Sequence, residues 1–434
     1  MTPSLTLRDF GECLLGLGRG QSPTYVEGES PIHAINQKCV RNGIVDAAYS
    51  RAHDPLAFVK EFAVLQNGDV CINSTGTGTI GRVGLWAKSP SEVDRFFADS
   101  HVTIARPNTA VVNPRYLTAL LQSPAVQTAM ETYCFSGSTN QVELNKSALS
   151  YLTLSLLSRD EQDVVAEVIA GMDRAIEQTE ALIAKQQRIK TGLMQDLLTN
   201  GIDEYGNIRS EATHAFKDSP LGRIPVEWEV QQLNAVAKQL TSGSRGWARY
   251  YSSEGAIFLR IGNLTREHIN LRLDDLVFVQ VPGLSEGKRT SVCEGDLLIS
   301  ITADLGIIGV IPADFGEAYV NQHIALVRLD RDAVNPRFVG HLLNGFIGRS
   351  QIDKLNESGA KAGLNLPTVG KLLIVVPKVD EQERVAELLD ATDRQVERDG
   401  AYLKKLTRQK AGLTHDLLTG ERRVISLFAQ SAAQ

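Results

Sequence analysis

Cysteine is scarce and never closely paired. The chain holds five (Cys13, Cys39, Cys71, Cys134 and Cys293) with no CxxC among them, so neither a disulfide framework nor a cysteine zinc site is expected. Its eight histidines form no HExxH or similar spacing, which leaves a catalytic metal without sequence support. No stretch approaches the ~18 uninterrupted apolar residues of a membrane helix. The opening, "MTPSLTLRDFGECLLGLGRG", lacks the basic region that precedes the apolar run of a signal peptide. A cytoplasmic protein is expected. Positive charge is also short: Lys and Arg number 45 against 51 Asp and Glu, a net charge of −6, which taken alone argues against a nucleic-acid partner.

What the sequence has is a phrase used twice. "QQRIKTGLMQDLLTNG" near the middle answers "LTRQKAGLTHDLLTGE" near the end. The match extends without a gap from Asp160 to Asn200 over Asp380 to Gly420, with nearly half the positions identical. The identities include Glu161/Glu381, Gln162/Gln382, Asp173/Asp393, Arg188/Arg408, Gly192/Gly412 and the closing Asp-Leu-Leu-Thr. Fainter matches run upstream. "VNPRYLTALL" answers "VNPRFVGHLL", Gly68-Asp69 answers Gly295-Asp296, "NSTGTGTIGRVGL" answers "SITADLGIIGV", and "SHVTIARP" answers "QHIALVRL". The whole chain is a tandem duplication, each half long enough to bury its own core rather than a solenoid repeat.

The repeated segment carries apolar residues at 3-4 spacing. Val165, Ile169, Met172, Ile176, Ile183 and Leu193 fall in one frame, and Val385, Leu389, Thr392, Val396, Leu403 and Leu406 in the copy. Sustained over about five heptads, this is a coiled-coil seam of about 37 residues, some 55 Å long. Both helices are acidic early and basic late, which suits the helix dipole and antiparallel pairing. They hold 8 acids against 4 bases and 9 against 7, and so account for the entire net charge of −6. The remainder is neutral, and a basic face on it is not excluded. Between the helices the halves alternate β-branched runs with helical stretches, the mark of mixed α/β domains. The expected class is α+β: two mixed domains separated by two long helices in an antiparallel coiled coil, with a pseudo-twofold repeat. The expected boundaries are 1–155 for the first domain, 156–218 for helix and linker, 219–376 for the second domain and 377–434 for the second helix and tail.

In the twice-repeated "DEQ" to "DLLTG" helix, the "SPLGRIPVEW" start of the second half, the "TGTIGRVG" strand-turn and the variable-conserved order, the chain resembles the specificity subunits of type I restriction-modification systems, over essentially its whole length. The resemblance implies two target-recognition domains, each reading one half of a bipartite, asymmetric site in double-stranded DNA. It implies two methyltransferase subunits docked on the helices, and restriction-translocase subunits joined through them. It implies no catalysis by this chain itself, a non-catalytic part of an adenine-N6 methyltransferase and ATP-dependent endonuclease. S-adenosylmethionine, ATP and Mg²⁺ would belong to the partners. The residues agree: "NPRY" and "NPRF" lack the second proline of an amino-methyltransferase "NPPY", and "GLSEGKRT" has the wrong glycine spacing for a P-loop, with Arg289 where Ser or Thr must hold Mg²⁺. Two other readings stand beside this one: a coiled-coil scaffold for protein or RNA, and the non-catalytic half of another methyltransferase system.

Base reading needs long polar side chains on loops with rigid ends. The first half offers Arg19, Gln21 and Tyr25 in "GRGQSPTYVEG", Gln37 and Lys38 in "INQKCVRNG", Thr75 and Thr77 in "NSTGTGTIG", and Ser138, Asn140 and Gln141 in "SGSTNQVEL". Its counterpart offers Ser244, Arg245, Trp247, Arg249 and Tyr250 in "SGSRGWARYY", Arg260 and Asn263 in "RIGNL", Thr302, and Lys361 and Asn365 in "SGAKAGLNL". Each loop reads equally as a solvated turn, and Trp247 or a tyrosine equally as packing. A phosphate cradle in "NSTGTGTIG" would need a following Lys that is missing. His101 and His323, repeated in strand-like runs, read as core or supporting residues. Leu193, Leu197 and Leu198, with their copies Leu413, Leu417 and Leu418, are either seam or the docking surface for methyltransferase subunits.

Overall fold

The computed structural model describes residues 5–88, 94–137, 142–243, 245–281, 285–357 and 364–422. The two long helices run from Arg159 to Thr199 and from Val379 to Thr419, 41 residues each, four more than the seam spacing marks. The chain forms two compact units, Met1–Thr179 with Tyr402–Gln434, and Glu180–Ala401. This division differs from the expected boundaries, which set each helix apart as a segment of its own. The reason is burial: the two ends of each helix lay their apolar faces into different cores.

In the first unit, Val165, Ala166 and Ile169 of the first long helix join Leu417 and Leu418 of the second around Tyr116, Leu117 and Leu154. In the second unit, Leu197 and Leu198 join Val385, Ala386 and Leu389 around Phe338, Val339 and Ile374. Within each unit the helical segments are antiparallel. Lys410 meets Asp173 at 2.5 Å in the first, and in the second Lys190 pairs with Asp393 while Gln186 donates to Asp399 at 2.8 Å.

Each unit is built on the same antiparallel strands. In the first, Leu14–Arg19, Val102–Pro107, Val70–Asn73 and Val83–Leu85 lie side by side and are extended by Gly43–Val45, which pairs parallel with the last of them, and Val40–Arg41. In the second, the corresponding order is Ala237–Ser242, Ile324–Leu329, Leu297–Ser300 and Ile308–Val310. Two helices cover each sheet, Pro114–Gln122 with Pro124–Cys134 and Pro336–Asn344 with Phe346–Glu357. In each unit the strand just before the main sheet pairs with the strand that leads into its long helix, Thr6–Asp9 with Thr153–Leu156 and Glu229–Gln232 with Leu373–Val376.

The repeated motifs turn out to be joints of this scaffold. In "VNPR", Asn113 and Asn335 are helix N-caps whose Oδ1 accepts two backbone N–H groups each, with Pro at the first turn where a missing N–H costs nothing. The Gln of "DEQ" ties the long helix to that cap. Gln162 Oε1 accepts from Asn113 N at 2.9 Å while its Nε2 donates to Leu157 O at 2.9 Å. Gln382 repeats both bonds, to Asn335 N and Pro377 O, at 2.8 Å. The Asp of "GD" is a buried anchor. Arg106 grips Asp69 with two bonds of 2.9 Å, and Arg328 grips Asp296 with bonds of 2.8 and 2.6 Å, the bidentate geometry that makes a desolvated pair worthwhile. Glycine is obligatory where strand ends approach another backbone. A Cβ on Gly20 would lie 2.0 Å from Ala98 O, and one on Gly243 2.0 Å from Asn321 O.

The second unit adds a joint of its own. Glu381, buried at the start of the second long helix, accepts from Ile202 N at 3.0 Å, from Trp228 Nε1 at 3.3 Å, and from Arg209 through both carboxylate oxygens, the longer contact 3.1 Å. This docks the linker after the first long helix. Glu161, its copy, instead accepts from the Ser158 hydroxyl at 2.7 Å and caps its own helix.

Candidate nucleic-acid interface

The turns after the central strands carry the same small device twice. In the first unit Thr75 Oγ1 lies 2.8 Å from His101 Nδ1, and Gln37 Nε2 donates to that hydroxyl at 2.6 Å. In the second unit Thr302 Oγ1 lies 2.8 Å from His323 Nδ1, and Gln322 takes up Nε2 at 3.1 Å. His101 N also donates to Asp99 Oδ1 at 2.8 Å, and burial pushes that carboxyl up from its ordinary range, against the His101 hydrogen bond and charge. His101 and His323 thus act as supports at loop ends rather than core residues.

Around this device the halves diverge. The first turn, Thr75–Gly81, is longer and uses three left-handed glycines, Gly76, Gly78 and Gly81, with Thr77 exposed at its tip. The second is shorter and places Ala303 at φ 57°. Asp304 follows and pairs with Arg266, which also donates to Leu305 O at 2.9 Å. Beside the first turn, Arg19 donates to Glu143 at 3.1 Å and to Leu144 O at 3.2 Å, tying the sheet edge to the hairpin Phe135–Ser136/Glu143–Leu144. Glu143 and Arg266 escaped the sequence reading. Charge pairing across 124 and 38 residues leaves no local signal.

The remaining candidates divide by what their side chains already do. Lys38 and Arg245 are exposed and form no ion pair among the described residues, and Arg249 lies over the Tyr250 ring at 4.9 Å. Tyr25 is partly exposed beneath Arg51, 3.6 Å from the ring centre. Gln21 is spent bridging Phe58 O and Lys60 N at 2.6 and 2.7 Å. Arg260 pairs with Asp275 at 2.9 Å. Asn365 caps the helix Leu366–Gly370 through Thr368 N at 2.8 Å. Ser138, Asn140, Gln141, Ser244 and Lys361 lie outside the described residues.

Three expectations are corrected by burial. Trp247 is 2 % exposed, stacked on Phe258 at 5.6 Å and tilted against Tyr319; it is the centre of a small core and offers no face to a ligand. Asn263, 2 % exposed, spends Oδ1 on Arg260 N at 2.9 Å and Nδ2 on Arg272 O and Asp275 O at 3.0 and 3.1 Å. Leu197, Leu198, Leu417 and Leu418 are buried by their own chain and cannot dock a partner; Leu193 and Leu413 are partly buried against the same cores. The exposed large hydrophobic side chains of the two helices are others, Leu182, Ile189, Leu388 and Tyr402.

The repeated scaffold can be compared with known proteins. Residues 225–408 match the model of the type I restriction modification DNA specificity domain. The chain is 24% identical over 348 residues to the MjaX type I restriction enzyme specificity subunit of Methanocaldococcus jannaschii, covering 80% of this chain and 76% of that one. It is 19% identical over 405 residues to the EcoBI specificity subunit of Escherichia coli, 84% of each. Residues 225–408 thus resemble a type I DNA specificity domain, and the chain as a whole is similar to type I specificity subunits.

The crystal structure of the S subunit of a type I restriction-modification system from M. genitalium has the same fold, with a TM-score of 0.61 at 16% identity over 96% of this chain and 99% of that one. The chain joins this duplicated α+β architecture to loops that differ between the halves. Among the described residues no helix is long and apolar enough to cross a membrane.

Proposed function

We propose that each unit reads one half of a bipartite, asymmetric site in double-stranded DNA through the turns at the ends of its central strands, and that the long helices carry methyltransferase subunits, with restriction subunits joined through these. The observation that carries this is a scaffold whose asparagine caps, arginine anchors and Thr–His supports repeat beneath turns that do not. Thr75–His101 and Thr302–His323 hold two turns of different length and chemistry, one glycine-rich with Gln37, the other bearing Asp304 and Arg266. Equal frames with unequal donors and acceptors suit a target whose halves differ in sequence, because base edges are told apart by such patterns. Lys38, Arg245 and Arg249 supply exposed cations for phosphate or guanine.

The chain is the reader, and the chemistry is its partners': S-adenosylmethionine serves the methyltransferase subunits, ATP and Mg²⁺ the restriction subunits. The exposed Leu182, Ile189 and Leu388 are the apolar footholds for docking. Mapping of methylated adenine in a host expressing this chain with its methyltransferase tests the reading. A bipartite asymmetric motif is expected, with one half lost or relaxed by Arg245→Ala and the other intact. Absence of any motif while the methyltransferase is bound overturns it.

A further inference from the structure

In the second unit, the turn that joins Leu297–Ser300 to Ile308–Val310 holds a single acid out toward solvent on a fixed base. The buried Ser300 hydroxyl donates to Asp304 O at 2.5 Å and accepts from Ile307 N at 2.8 Å. Gly306 N returns to Ser300 O at 2.9 Å. Ala303 adopts the left-handed φ of 57°, a conformation that a side chain disfavours, and hands the chain to Asp304, whose side chain is 59% exposed. Arg266 takes Oδ1 of that carboxylate and also donates to Leu305 O at 2.9 Å. Arg349 in turn steadies Arg266 by donating to its backbone oxygen at 2.8 Å. Among the described residues nothing occupies Asp304 Oδ2.

The acid is particular to this unit. The matching turn of the first unit, "TGTGTIG" from Thr75 to Gly81, bears no charge at all, although the same Thr–His support stands beneath it. A bare carboxylate at such a place would be driven from a phosphate backbone. Here two guanidiniums lie under it and offset that repulsion. Burial and the nearness of Arg266 push the Arg349 guanidinium below its ordinary value, with Asp353 acting the other way. The carboxylate is therefore carried on a cationic base, one oxygen held and the other open.

We propose that Asp304 reads a cytosine in the half-site of the second unit, accepting from its N4 amine through the oxygen that Arg266 leaves open, with Arg266 as the positioning residue. This rests on the DNA-reading function proposed above and adds to it the base and the atom. The choice of base follows from what a carboxylate can do. An ionised Asp only accepts hydrogen bonds, so in the major groove it can meet only the exocyclic amines, N4 of cytosine and N6 of adenine. Adenine sets the acceptor N7 beside its amine, which repels a second acceptor, whereas cytosine offers the amine alone. Guanine O6 and thymine O4 are acceptors and are rejected outright. Fixing the carboxylate in advance by Arg266 and Ser300 removes the freedom that binding would otherwise have to freeze.

The test maps methylated adenine for the full chain with its methyltransferase, as parent and as Asp304→Ala. One position fixed as a C·G pair in the parent motif is expected to become degenerate in Asp304→Ala, with every other position of both halves kept. Arg266→Ala should slow methylation of the parent site about tenfold or more, the worth of a lost hydrogen bond to a charged group, without changing which bases are preferred. A duplex carrying 2-pyrimidinone, which is cytosine without its amine, at that position supplies the second measurement. The parent should methylate it about tenfold more slowly than the cytosine duplex, while Asp304→Ala should treat the two alike. An unchanged motif in Asp304→Ala, or a relaxed position that is an A·T pair, overturns the assignment and leaves the reader function standing. So does a parent that is indifferent to the amine at every cytosine of its site, a result that needs no variant to fold. Absence of any motif in the parent brings down the reader function itself, and this assignment with it.

Discussion

Lys190 of the first long helix and Asp393 of the second form an almost wholly buried ion pair, and Asp173 with Lys410 repeats it with the partners' helices exchanged. The identity of Asp173 with Asp393 and of Lys190 with Lys410 in the duplicated segment is therefore one interaction written twice. Breaking one partner of a buried pair strands the other charge. Lys190→Met is expected to destabilise the second unit by about 3–5 kcal/mol, and Lys190→Met/Asp393→Leu to recover most of that loss. Urea unfolding of the two variants checks this; a single variant as stable as the parent would refute it. The Asp173–Lys410 pair is more exposed, and its loss should cost roughly 1 kcal/mol or less.

Gln162 and Gln382 each satisfy a backbone N–H and two carbonyls at the junction of cap and long helix. Ala at either position leaves those groups buried and unpaired, at about 1–3 kcal/mol. Hydrogen exchange should show faster opening at Asn113 in Gln162→Ala and at Asn335 in Gln382→Ala, each confined to its own unit.

The second unit carries an acid-sensitive contact absent from the first. Asp390 bonds to His341 at 2.7 Å and pairs with Arg337, where the duplicated positions of Asp390 and His341 are Ala170 and Ala119. Burial raises the Asp390 carboxyl, but the His341 and Arg337 hydrogen bonds outweigh it and hold the group below its usual range. A depressed carboxylate contributes stability above its unfolded value of about 4 and loses it as pH falls through the folded value. The second unit should therefore weaken on acidification below about pH 4. In Asp390→Asn that stretch of the stability curve should be flatter, as followed by thermal unfolding across pH 2–6.

Leu182 and Ile189 are exposed on the first long helix and serve no core. Replacing both with Glu should leave the melting temperature within a degree or two and reduce methyltransferase binding at least tenfold in a pull-down or calorimetric titration. Leu197→Glu is expected to do the reverse, unfolding the second unit before any effect on docking can be read.

Trp247 and Arg245 separate packing from reading. Trp247→Ala should cost about 3–5 kcal/mol, whereas Arg245→Ala should leave stability within about 0.5 kcal/mol and alter only the methylation motif. Parallel melting curves and methylome maps distinguish the two.

The duplication, the long helices and their antiparallel sense were legible because they rest on local periodicity and on comparison of the chain with itself. The joints were half legible. The pairs Gly68-Asp69/Gly295-Asp296 and Asn113/Asn335 stood out as repeats, but only the fold shows Asp69 and Asp296 to be arginine anchors and the asparagines to be caps. The candidate contacts were least legible. A tryptophan in a Gly/Ser/Arg loop looks the same whether its ring faces solvent or, as with Trp247, Phe258 and Tyr319. The leucines of "DLLTG" read equally as seam or as surface. The Glu381 joint, linking residues 172 and 153 positions away, has no local signature.

The division of the chain into units has an evolutionary reading. The second unit is one uninterrupted stretch, Glu180–Ala401, set inside the first, and its ends fall near equivalent positions of a repeated helix. Two crossovers within homologous helix-coding segments would lift out a complete folded body and leave a helix in register behind. The repeat that builds the molecule also marks where it can be recombined, so one folded unit with its own turns can be exchanged by inheritance while the other unit passes on unaltered.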